Sequence, residues 1–162
     1  ADPMAAWKSA LVGKTFKHDV NYFADWVTLT WGGGWTGNGG PLFTTPDFSS
    51  QSWFWNQTVR DAAVASSVSF YLDGGNIKAN AVDNGVAKNG ISVTVDTDAG
   101  TITFSEAPLT YTWLYTNNDS GKGPWLVGSR DGATLGNIAT KGLYLGFQSG
   151  ANEITMVHWV LQ

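Results

Sequence analysis

The chain has 162 residues, no cysteine, only 14% charged side chains and a net charge of −4. That length gives one domain with its own core, and the absence of cysteine removes disulfides, thiolate metal sites and a thiol nucleophile. The scattered basic residues cannot neutralise a row of phosphates, which excludes nucleic acid, and no apolar run reaches the about 18 residues of a membrane-inserted helix.

In chain order, Ala1-Asp2-Pro3-Met4 reads as an expression remnant, so the domain is expected to occupy residues 5–162. Residues 7–12 form a short amphipathic lead-in, and Lys14-Thr15-Phe16-Lys17 alternates like a first strand. The stretch 22–31 mixes aromatic and β-branched residues and suits a second strand. From Gly32 to Pro41 the chain is too rich in glycine for a helix, and residues 47–55 form a polar, aromatic loop. Val59, Ala62 and Ala63 fall at i, i+3 and i+4, which predicts a short helix over 56–65.

Beyond Ser67 the period becomes two. Val68, Phe70 and Leu72 alternate with polar or amphipathic neighbours, and Gly74-Gly75-Asn76 turns the chain into a strand over 77–82. Ile91, Val93 and Val95 alternate in the same way, and Thr97-Asp98-Ala99-Gly100 leads to Ile102 and Phe104 on a partner strand. Further strands are predicted at 111–115, 125–129, 143–148 and 154–161, with the Asn117-to-Pro124 segment as a polar loop. Eight to nine antiparallel strands joined mainly by hairpins make an all-β fold. A jelly-roll-like β-sandwich is the expected form, and a closed antiparallel barrel the alternative.

Catalytic constellations are weak. The two glutamates, Glu106 and Glu153, sit at a strand end and in a turn, and Asp73, Asp83, Asp96, Asp98, Asp119 and Asp131 all flank turn residues. Glycoside hydrolysis needs two carboxylates facing each other across a cleft. His18 and His158 are the only imidazoles, and two histidines without cysteine make a poor zinc set. We therefore expect a non-catalytic domain with no cofactor and no metal, apart from a structural Ca²⁺ that the oxygens around Asp119 would suit.

The densest chemistry lies in 26–55, which holds five of the nine tryptophans and the run Gly32-Gly33-Gly34. Flat indoles on glycine-permitted loops are platforms for the C–H faces of sugar rings. Trp31, Trp35, Trp53 and Trp55 supply the planar surface. Asn38, Asp47, Gln51 and Gln57 lie near them in sequence as hydrogen-bonding partners, and Tyr115 and Trp125 flank the second polar loop in reserve. Stacking and hydrogen bonding of this kind correspond to micromolar to millimolar affinity, about −8 to −4 kcal/mol. A small glycoside hydrolase or lyase, an adhesion module, and a lipocalin-like barrel for an apolar ligand are the competing expectations.

Short motifs also resemble a known family. Leu11-Val12-Gly13-Lys14-Thr15-Phe16, Ser69-Phe70-Tyr71-Leu72-Asp73-Gly74, Thr101-Ile102-Thr103-Phe104-Ser105 and His158-Trp159-Val160-Leu161-Gln162 flank the aromatic passages around Trp31 and Trp53. Their order is similar to that in glycan-binding β-sandwich modules of Bacteroidetes surface polysaccharide-utilisation proteins; Phe16 stands where that pattern has Trp. The resemblance implies a carbohydrate-binding module of the bacterial surface or extracellular space, part of a larger multidomain protein. It would hold a plant-type polysaccharide (β-glucan, xyloglucan, mannan or similar) or its oligosaccharides for an appended enzyme or transporter.

Overall fold

The computed structural model describes residues 2–18, 24–28, 57–98, 100–110, 122–128, 135–148 and 153–162. It opens with helix α1 (Pro3–Leu11), whose N-cap Asp2 accepts a hydrogen bond from the Met4 amide at 3.0 Å. Proline at the first helical position and a carboxylate just before it are a strong start signal. Trp7, Ala10 and Leu11, at i, i+3 and i+4, form the buried face. Residues 2–4 are thus part of the fold rather than a passive remnant: Pro3 and Met4 build the first turn, and Met4 packs on the core.

The remaining elements are almost all strands. They are β1 (Thr15–His18), β2 (Ala24–Thr28), β3 (Ser67–Asp73), β4 (Asn76–Asp83), β5 (Val86–Asp96), β6 (Thr101–Phe104), β7 (Trp125–Gly128), β8 (Leu143–Gln148) and β9 (Glu153–Leu161). Helix α2 (Gln57–Val64) precedes β3 as the spacing of Ala62 and Ala63 predicts, and a 3₁₀ turn (Leu135–Asn137) runs into the short helix α3 (Ile138–Lys141) before β8. Every pairing between these strands is antiparallel, and β3 to β8 each pair with the next strand in sequence.

The sheet closes on itself. β1 pairs with β3 on one side, through Thr15↔Ser69, and with β9 on the other, through Lys17↔Val160 and His18↔Trp159. β2 continues along the same flank of β9, with Ala24 opposite Met156 and Thr28 opposite Glu153. β1 and β2 therefore act as two halves of one stave in an eight-stave ring. This one-sheet, neighbour-to-neighbour order corresponds to the closed-barrel alternative and replaces the two-sheet, jelly-roll-like expectation. Hairpins alone leave two bare edge strands, and pairing the first with the last removes both.

An eight-stranded ring is just wide enough for its own side chains to fill. Phe16, Phe70, Phe104, Ile102, Trp125 and Trp159 are each 2% exposed or less. Phe70 on β3 lies 6.3 Å, ring to ring, from Phe104 on β6, and meets Phe16 edge-on at 5.9 Å. Outside the ring, Tyr144 and His158 stack at 4.0 Å, and His158 Nε2 donates to the Lys141 carbonyl at 2.7 Å. Gly142 is obligatory in that corner. Its φ is +78°, and a Cβ there would overlap His158 Nε2 and stand 2.6 Å from the Trp159 carbonyl oxygen.

The two ends of the ring differ. One carries α1, the 3₁₀ turn and α3, together with the start of β1, the β3–β4 turn and the end of β9. The other carries Thr28, the β4–β5 hairpin, the segment 105–110 and the junction of β8 with β9.

Candidate functional site

The second end is where the aromatic segments join the barrel. Thr28 and Gln57 bracket 29–56, Thr110 and Lys122 bracket 111–121, and Gln148 and Glu153 bracket 149–152. Antiparallel order sends these connections to one end, because each follows or precedes a strand of the same direction. The two-residue turn Gly74-Gly75 and the β7–β8 connection serve the α1 end.

The described part of this end is fastened by an ion pair. Asp83 lies on the inward-facing side of β4 and is 7% exposed. Its Oδ2 accepts from Lys88 Nζ at 2.9 Å and from Thr110 Oγ1 at 2.6 Å, and its Oδ1 accepts from the Thr110 amide at 3.2 Å. Lys88 Nζ also donates to the Ala107 carbonyl at 3.1 Å. Together the two side chains hold 107–110 across the mouth of the ring, with Ala107 and Leu109 buried beneath.

A bulge makes this pairing available. Ala79 faces Ile91 and Ala81 faces Lys88, so β5 carries one residue more than β4 between those pairs. The extra residue reverses the phase of β5 and turns Lys88 to the same side as Asp83. Gly90 takes the strain with φ +73°, and its amide donates to Asn80 Oδ1 at 3.0 Å. Alongside, the Asn84 amide donates to Ser66 Oγ at 2.8 Å and the Gly85 amide to the Ala65 carbonyl at 3.1 Å, tying the end of α2 to the hairpin.

Of the expected ligand-binding residues, Trp31, Trp35, Asn38, Asp47, Gln51, Trp53, Trp55 and Tyr115 lie outside the described residues, as does Asp119 of the suggested Ca²⁺ site. Gln57 is the first residue of α2, at the root of the 29–56 connection. Trp125 is a correction. At 1% exposure it packs inside the ring opposite Ile102, so its ring is a core element and no stacking platform. Asp83 is a second correction. Sequence context places it in a turn, but it is the buried anchor of the mouth.

Glu106 is exposed, and Asp73 pairs with Lys78 at 3.3 Å on the surface. Among the described residues no group of three or more His, Asp or Glu side chains is arranged to hold a metal ion, and no helix is long and apolar enough to cross a membrane. Comparison with protein-family models, curated proteins and solved structures finds no match in any of the three.

Proposed function

We infer that this domain binds a neutral, plant-type polysaccharide or its oligosaccharides at the loop end of the barrel and performs no chemistry on it. One observation supports this most. The connection that holds Trp31, Trp35, Trp53 and Trp55 and the connection that holds Tyr115 are rooted at the same end of one ring, at Thr28 and Gln57 and at Thr110 and Lys122. Two connections distant in sequence thus leave and rejoin the barrel at one mouth, and binding faces of barrels are usually built from such connections.

Two further points favour this reading. The described interior is occupied by aromatic and aliphatic side chains, which favours recognition at the rim over an apolar chamber inside. The low charge of the chain suits an uncharged partner, since neutral sugars offer hydroxyls and C–H faces. In the proposed setting the domain is extracellular or displayed on a bacterial surface within a larger protein, and it keeps substrate close to an appended enzyme or transporter.

Affinity electrophoresis tests the reading. In gels containing β-glucan, xyloglucan or mannan the native chain is retarded, and Trp31→Ala, Trp35→Ala or Trp53→Ala each lose at least tenfold in affinity, roughly 1.4 kcal/mol. Unchanged retardation in all three variants, or no retardation of the native chain by any glycan, removes the proposal. Release of reducing ends or of unsaturated sugars by the pure chain would replace it with catalysis.

A further inference from the structure

The opposite end of the barrel is sealed unevenly. Val93 and Val95 belong to the inward-facing set of β5, paired with Phe104 and Ile102. Both partners are almost wholly buried, while Val93 and Val95 are only partly so. The reason is the lie of α1. Its Trp7, Ala10 and Leu11 cover the core, and between its first turns and β5 it leaves a cleft of about 370 Å³ lined by Met4, Lys8, Asn76, Ile77, Val93 and Val95 among others. That size falls within the about 300–1,000 Å³ of small-molecule sites.

The lining combines aliphatic side chains and neutral polar groups, Asn76 and Thr94 among them, with a single charge. Met4, Ile77, Val93 and Val95 offer aliphatic surface, and Lys8 is the only titratable residue of the set. Among the described residues the Lys8 ammonium has no hydrogen-bond or ion-pair partner. A second cleft, of about 380 Å³, lies on the other flank of α1, but its lysine, Lys14, already donates to the Ser9 carbonyl at 2.7 Å. The first cleft therefore has both features an amphiphile needs: water-accessible apolar surface whose burial is favourable, and an unengaged cation at its edge.

We propose that this cleft binds an aliphatic monocarboxylate, with the chain on Met4, Val93 and Val95 and the carboxylate on Lys8. The site is independent of the glycan-binding face, which lies at the other end of the ring.

Methyl NMR on the full chain, titrated with decanoate below its micelle concentration, tests this. Saturable shifts are expected at the methyls of Met4, Val93 and Val95, with the Leu11 and Ile102 methyls reporting an intact core. Lys8→Ala weakens decanoate about fivefold, the size of one half-exposed ion pair, and decanol binds the native chain as weakly as decanoate binds that variant. The proposal is overturned by the absence of saturable shifts, by shifts scattered outside the cleft, or by equal binding of decanoate to both chains.

Discussion

At Asp83 the chain keeps a carboxylate on the inward-facing side of β4, and Lys88 and Thr110 compensate for its burial. A carboxylate at 7% exposure loses most of its hydration, so removing either partner leaves a charge or a donor poorly solvated. Lys88 is 23% exposed and recovers some water when its partner goes, which lowers the cost. Asp83→Ala is expected to lose about 2–3 kcal/mol in urea unfolding. The double-mutant cycle with Lys88→Met should show a coupling of about 1 kcal/mol or more, and additive losses would mean the pair is only adjacent. In sequence this residue looked like any Asp before Asn-Gly, and nothing local announced the bulge at Gly90 that turns Lys88 toward it. Trp125 was misjudged for a related reason: a polar loop beside a tryptophan leaves its side of the strand undecided.

Among the elements, the strands with strict alternation were the legible ones. β3, β4 and β6 bury apolar residues at period two (Val68 and Phe70; Ile77, Ala79 and Ala81; Ile102 and Phe104), and the β3–β4 hairpin matches its glycine-marked turn. α2 followed from the spacing of Ala62 and Ala63. α1 is legible only in its second half, because its cap Asp2 and the start of its first turn, Pro3 and Met4, read as a remnant. The short α3 has no sequence signature, since four residues carry no helical period. α1 matters most for the architecture because it closes one end of the ring. Leu11 is fully buried at its last turn, and Leu11→Ala is expected to cost about 3–4 kcal/mol in thermal or urea unfolding. A loss below about 1 kcal/mol would indicate that α1 packs loosely and that the barrel stands without it.

For the whole molecule, the period-two alternation indicates an all-β fold, and the described residues have that form. Whether the strands form two facing sheets or one closed ring depends on non-local pairings, β1 with β3, β2 with β9 and above all β1 with β9, between residues more than 140 positions apart in sequence. Hairpin signals are local and contain no trace of such pairings, so the sequence pattern alone suits a sandwich equally well. The same closure divides the molecule into an end sealed by helices and an end from which the tryptophan-bearing connection departs. The proposed function rests on that division, because the tryptophan-bearing connection is rooted at the end proposed to meet sugar. Iodide quenching of tryptophan fluorescence, with and without polysaccharide, tests it most directly, because Trp7, Trp125 and Trp159 are buried and form a shielded background. The account predicts a quenchable fraction that β-glucan, xyloglucan or mannan protects in a saturable way. Quenching that no glycan alters, or indoles all inaccessible to iodide, would contradict it.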